Sequence, residues 1–162
     1  MKILYVITLP QIGGAQVHLL TLVTELLKRE HEAAVVVGAA GWLTEQLEER
    51  GIQCVVLPTL RREIAPACDF AAFRRLRRII KEYQPDLVHC HSSKAGLLGR
   101  IAARSLGIPA VFTVHGWAFT EGVASTKRRI YECIEWIGGF FAQRIICVSA
   151  YDRKLGAAAL GK

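Results

Sequence analysis

Six short apolar runs alternate with longer stretches whose apolar residues recur every three to four positions. The runs are Lys2 to Thr8, Ala33 to Gly38, Ile52 to Leu57, Asp86 to His91, Ala110 to Val114 and Ile145 to Val148. They are too short for helices and rich in β-branched residues, so each predicts a strand. Between them, Ala15 to about Glu30 predicts a helix whose buried face uses Val17, Leu20, Val23 or Thr24, and Leu27. Trp42 to Arg50 reads as a short helix stopped by Gly51. Residues 58–68 have no clear period and contain Pro66, which predicts a loop. Asp69 is placed to cap a helix to Tyr83 with Phe70, Phe73, Leu76, Ile79 and Ile80 inward. Further helices are expected from Ser92 or Ser93 to about Leu106 and from Thr126 to Gln143, and Ser149-x-x-Asp152 resembles a helix start. Residues 117–125 read as an irregular loop.

Several strand-like runs are apolar throughout instead of alternating, which is the pattern of a parallel sheet covered on both faces. The expected fold is therefore α/β: a Rossmann-like, doubly wound, mainly parallel sheet of about six or seven strands. Residues 1–162 are one domain by size.

Composition narrows the function classes. The five cysteines are odd in number and scattered, and three lie in apolar runs. That predicts a reduced, cytosolic protein without a disulfide framework or a cysteine-only zinc site. Pro10 and Gln11 interrupt the first apolar run, so it does not read as a signal peptide, and no run approaches the roughly 20 residues of a membrane span. The net charge of +7 gathers at Arg61-Arg62, at Arg74, Arg75, Arg77, Arg78 and Lys81, and at Lys127, Arg128 and Arg129. An anionic partner is one reading and solvated helix faces are the other. Nucleic acid is not expected, because no recognition module or aromatic-rich basic stretch accompanies the charge.

Candidate chemistry begins at Phe112-Thr113-Val114-His115-Gly116-Trp117, where an apolar strand ends on a histidine and a glycine. Ligands of open α/β sheets collect at the carboxyl ends of strands, where a histidine can donate a hydrogen bond or handle a proton. Gly13-Gly14 falls between the first strand and the first helix, where it is either a plain tight turn or a loop for close approach of an anion such as phosphate. His89-x-His91 puts two imidazoles on one strand face, but no third ligand is evident, so no metal is expected. His18 and His31 read as packing or capping residues. Gly96 and Gly99 read as packing positions within a helix. Trp117 and Phe119 either form an apolar lip at the sheet edge or fold back onto the core. The G-x-G-x-x-G, Walker, G-x-S-x-G, H-E-x-x-H and C-x-x-C patterns are all missing, which removes support for nicotinamide, ATPase, hydrolase, zincin and redox readings.

Taken together, KILYVIT, GGAQVHLLTLVTELL, HEAAVVV, PDLVHCHSSKAGLLGRIAARSLGIPAVFTVHGWAF and IICVSAYDR resemble the amino-terminal, acceptor-side domain of retaining GT-B glycosyltransferases of family 4. "TVHGWAFTEG" is especially similar to enzymes of exopolysaccharide, capsule or lipid-linked oligosaccharide synthesis. Glu30 departs from the glycine usual before His31. The resemblance implies that Gly13, Gly14 and Ala15 approach the donor diphosphate or the acceptor, and that His115 is the catalytic histidine contacting the transferred sugar. His91, Ser92, Lys94, Gly116 and Trp117 are the expected acceptor or sugar contacts. It implies a nucleotide-sugar donor, a saccharide or polyprenyl-linked acceptor, and no cofactor or metal. It further implies a second Rossmann-like, donor-binding domain with a paired-glutamate motif, which these residues do not contain. The chain thus reads as an isolated half, inactive alone. Arg74, Arg75, Arg78, Lys127, Arg128 and Arg129 are expected to face an anionic membrane, on the cytoplasmic side of the plasma membrane. Two other readings stay open: another GT-B enzyme such as a nucleotide-sugar epimerase, and a non-enzymatic Rossmann-like binding module using its basic faces.

Overall fold

The computed structural model describes residues 1–120 and 122–161. Glu121, in the loop expected over 117–125, and Lys162, at the expected end of the last helix, lie outside the described residues. Strands β1 (Lys2–Ile7), β2 (Glu32–Val37), β3 (Gln53–Val56), β4 (Leu87–Cys90), β5 (Ala110–Val114) and β6 (Arg144–Cys147) alternate with helices α1 (Gly14–Lys28), α2 (Trp42–Glu48), α3 (Pro66–Tyr83), α4 (Ser93–Arg104), α5 (Ser125–Gly139) and α6 (Ala150–Leu160). All pairings are parallel and the strand order is β3-β2-β1-β4-β5-β6. This is the doubly wound arrangement, with its reversal of direction between β1 and β4.

The strand pattern explains the layers. In β1, Tyr5 and its neighbours Ile3 and Ile7 pack with Leu19 and Val23 of α1 and Leu43 and Leu47 of α2. Leu4 and Val6, one residue out of step, face the opposite side with Leu76 and Ile80 of α3, Ala102 of α4 and Leu160 of α6. A strand whose successive residues enter two cores must be apolar throughout. The helix cover is uneven. Among the described residues, α1 and α2 cover one face over β1 to β3, and α3, α4, α5 and α6 cover the other. On the α1 side of the sheet's far end, Ile146 and Val148 are exposed.

Five local expectations are corrected. Val17 and Leu27 are exposed, and the buried residues of α1 are Gln16, Leu19 and Val23. The 58–68 loop is shorter than expected, because α3 begins at Pro66, whose fixed φ suits the first helical position. Ala65, not Asp69, is the N-cap; the Asp69 carboxylate reaches back to accept from the Ala65 N–H at 3.2 Å. Phe70 is exposed, and Ala72 takes its place in the buried stripe with Leu76, Ile79 and Ile80. The helix expected to reach Gln143 ends at Gly139, since Gln143 turns to join the sheet: its N–H donates to the Ala110 carbonyl at 2.8 Å. The cap expected at Ser149 is present, its hydroxyl accepting from the Asp152 N–H at 3.0 Å.

Candidate functional site

The carboxyl ends of β1, β4 and β5 converge where the sheet reverses direction, and the chain puts an imidazole at two of them. His91 follows β4 and His115 follows β5. Register brings them together. His89 pairs with Val111 at the backbone, and its ring reaches the next residue on the same face, two positions further along β5. His89 Nε2 therefore meets Thr113 Oγ1 at 2.8 Å, and His91 Nδ1 meets His115 Nε2 at 3.1 Å. Gly116 then turns the chain away with φ +140°, in the region that favours glycine.

A third imidazole arrives from α1. His18, expected to be a packing or capping residue, is exposed and sits with its ring 5.1 Å from His115 and 5.8 Å from His91. One ring nitrogen from each of His18, His91 and His115 lies within 4.8 Å of the others. The set the fold assembles differs from the pair read in the sequence: His91 is in it, whereas His89 is turned to Thr113. No local signal marks His18 beyond its being a polar residue near the start of the first helix. By contrast His31, the other histidine read as packing, lies away from the site, with Nδ1 3.3 Å from the amino terminus.

Burial controls the electrostatics. His91 is fully enclosed, and desolvation, followed by the neighbouring His89, His115 and His18, pushes its pKa down to about 2. Desolvation, then His18 and His115, pushes His89 down to about 4. His115 is also lowered, by burial first and then by His18, with the Asp152 carboxylate opposing the shift. A neutral imidazole has one donor and one acceptor nitrogen, so the His91–His115 contact fixes complementary tautomers on the two rings. Nε2 of His91 and the hydroxyl of Tyr5, whose ring lies 5.9 Å from that of His91, are buried without hydrogen-bond partners.

On the other side of the cleft, Gly13 is the N-cap of α1 and supplies no side-chain cap. Its φ of −176° is ordinary extended backbone, and a Cβ on Gly14 would meet nothing within 4 Å. Packing within the chain therefore does not require glycine at 14, and a turn requirement does not explain the pair. The exposed Gly14 and half-buried Ala15 open α1, a 15-residue helix whose positive end faces out of the fold.

The remaining expected contacts divide. Ser92 stands at the rim but its hydroxyl is bonded to Thr8 Oγ1 at 2.7 Å, fastening the start of α4 to the end of β1. The Lys94 ammonium is held by the Asp69 carboxylate and donates to the Glu63 carbonyl at 2.8 Å, so it anchors the start of α3 and is not presented to the cleft. For Trp117 the second of the two readings holds and the contact with acceptor or sugar does not. It folds back into the core, 3% exposed, stacked on Phe119 with its Nε1 donating to the Asp152 carbonyl at 2.7 Å. Its indole occupies the space left by Gly156, where a Cβ would lie 2.6 Å from the ring. Gly96 and Gly99 are packing positions, pressed against Phe112 and Cys90 respectively. The basic residues Arg74, Arg75, Arg78, Lys127 and Arg129 are exposed and Arg128 half-buried, on the two helices that flank α4. Arg78 and Arg128 pair with Glu82 and Glu132 of their own helices.

The chain is similar to known proteins along nearly its whole length. The sequence model of Glycosyltransferase Family 4 matches residues 12–161. A curated relative, the UDP-Gal:alpha-D-GlcNAc-diphosphoundecaprenol alpha-1,3-galactosyltransferase of Escherichia coli, is 32% identical over 155 residues, 95% of this chain and 40% of its own length. The Escherichia coli O-antigen biosynthesis glycosyltransferase WbnH is 26% identical over 150 residues, covering 93% of this chain and 42% of that one. The crystal structure of Anabaena Alr3699/HepE in complex with UDP-glucose superposes with a TM-score of 0.77 over 100% of this chain and 41% of that one, at 22% identity, a likeness of fold. The chain spans about two fifths of the length of the curated relatives it matches. The extent of the family match settles membership: the chain belongs to glycosyltransferase family 4.

Proposed function

We propose that this chain forms the amino-terminal, acceptor-side part of a retaining glycosyltransferase that moves a sugar from a nucleotide-sugar donor to a saccharide or polyprenyl-linked acceptor in surface polysaccharide synthesis. One observation carries the reading: His115, His91 and the uncapped amino end of α1 at Gly13-Gly14-Ala15 gather at the carboxyl edge of the sheet, beside its reversal point. The name of the Escherichia coli galactosyltransferase, which specifies a UDP-linked donor and a diphosphoundecaprenol acceptor, supports a nucleotide diphosphate sugar and a lipid-linked acceptor here. His115 would hold the transferred sugar through a ring nitrogen, with its tautomer set by His91. The first amides of α1 would face a phosphate or an acceptor oxygen, where a helix amino end favours negative charge. Developing charge on the departing diphosphate would be stabilised by fixed dipoles, with no metal cofactor.

The test is His115→Ala in the full-length enzyme. Turnover should fall about 10²- to 10³-fold, the cost of removing one preorganised donor, with the far-UV circular dichroism unchanged. Unaltered turnover would remove His115 from the reaction. Scoring the product separates transfer, which makes a new glycosidic linkage, from epimerisation, which returns an isomerised nucleotide sugar.

The exposed basic residues of α3 and α5 would hold the enzyme against an anionic leaflet on the cytoplasmic side of the plasma membrane. No helix among the described residues is long and apolar enough to cross a membrane. Vesicles containing anionic lipid should retain the protein at low salt and release it when Arg74, Arg75, Lys127 and Arg129 are replaced by glutamate. Equal retention of that variant would refute the surface.

A further inference from the structure

We propose that His18, His91 and His115 form a binding site for a divalent first-row transition ion such as Zn²⁺, and that the ion inhibits the enzyme by occupying the position of the donor sugar. Imidazole suits zinc, copper and nickel, and three imidazoles with an open fourth position are an established zinc donor set. Zinc bound at about 2.0–2.1 Å in tetrahedral geometry holds its ligand nitrogens roughly 3.3 Å apart. The 3.1 Å between His91 Nδ1 and His115 Nε2 is already close to that separation. One nitrogen of His18 lies within 4.8 Å of a nitrogen of each of the other two rings, and the His18 side chain is exposed. His91 and His115 are set by the ends of adjacent strands, so two of the three ligands sit on rigid elements; the proton they share in their hydrogen bond passes to the other nitrogen of its own ring when both bind the ion. His115 is half-buried and His18 and Gly116 are exposed, so solvent reaches the group and a water or substrate oxygen can complete the ion's coordination.

The inhibitory consequence rests on the proposed role of His115; ion binding itself does not. A nitrogen that coordinates zinc cannot also hydrogen-bond a sugar, so donor and ion exclude one another. Catalysis would then be metal-independent and metal-sensitive at once.

Zn²⁺ is titrated calorimetrically into the chelator-treated chain at pH 7.5. One ion per chain is expected, with a dissociation constant on the order of 1 µM. His18→Ala and His115→Ala should each weaken it about tenfold or more, the loss seen when a ligand or its support is removed, and His31→Ala should not. His18 is exposed, so its variant tests the site without disturbing the core, and circular dichroism checks the fold of each. Co²⁺ should give the visible absorption of a tetrahedral nitrogen site, absent in His18→Ala. Failure to bind one ion per chain, or binding unchanged in the His18 and His115 variants, would overturn the site and leave the transferase reading standing. In the full-length enzyme, chelator should leave turnover unchanged, and micromolar Zn²⁺ should suppress it until excess donor restores it. Stoichiometric binding with undiminished turnover would uphold the ion site and overturn the inhibition, along with the contact between His115 and the sugar.

Discussion

Two groups of ionisable side chains are buried on opposite faces of β5, and they are stabilised in opposite ways. Beneath α5, Arg100 and Glu135 are almost fully enclosed and paired at 2.9 Å. The guanidinium also donates to the Gly96 carbonyl at 2.6 Å and lies 4.4 Å above the Phe112 ring. Across the sheet, buried His89 and His91 and half-buried His115 meet no carboxylate at hydrogen-bond distance among the described residues; their hydrogen-bond partners there are Thr113 and one another. The first group keeps two opposite charges by matching them. The second is enclosed by driving its imidazoles toward the neutral form. Matched charge makes a rigid support for two helices. The second group brings an imidazole lowered toward its neutral form, that of half-buried His115, to the carboxyl edge of the sheet, where it can hydrogen-bond a ligand.

The comparison can be broken most severely at the ion pair. Glu135→Ala leaves a buried guanidinium without its counter-charge and should cost about 3–5 kcal/mol, read as a lower urea midpoint. The double change Arg100→Met with Glu135→Leu removes both charges and should cost far less. If the two variants were equally damaged, packing and not charge matching would hold α5 in place.

The histidines sharpen the comparison through pH. Their folded pKa values lie below the ordinary 6.5, so the unfolded chain takes up more protons as the pH falls. Stability should therefore decline below about pH 6.5 and continue to decline to about 4 for His89 and about 2 for His91. Moving from pH 7 to pH 5 should cost about 2 kcal/mol for each, or 2–4 kcal/mol for the coupled pair. The Arg100→Met, Glu135→Leu protein should show the same slope, because its lost charges belong to the other face.

The smallest effect is steric. Gly138 lets α5 rest on Arg100, and a Cβ there would stand 2.6 Å from Nη2. Gly138→Ala should cost about 1–3 kcal/mol by overpacking while leaving the pH dependence untouched. A neutral result would mean that the guanidinium has room to move.

The strands were legible in the sequence because each carries its burial in a local pattern. Ala110 to Val114 is a strand over the predicted span, and the others shift by about one residue at their ends. His115 and His91 were legible too, since the end of an apolar run says where a side chain emerges. Lys94 and Trp117 were misread because position at the rim does not say which way a side chain turns. Asp69 and the Gly156 gap decide that, from 25 and 39 residues away. His18 and the Arg100–Glu135 pair were hidden for the same reason. Each depends on a partner brought in by tertiary packing, and an arginine in a helix gives no local sign that Gly138 and Phe112 will enclose it. Glu30, the departure from the family's glycine, proved informative: its φ of 62° is in the left-handed region, so the backbone there has kept the shape that glycine would take freely.

The lopsided helix cover has a consequence in time. β1 is clamped by strands on both sides and by helices above and below, whereas β6 is an edge strand among the described residues, with its Ile146 and the following Val148 exposed. Local opening follows the scarcity of buried contacts. The backbone amides of β6 will trade their hydrogens with water long before those of β1, and the sheet will fray from the side that also carries the histidine at the end of β5.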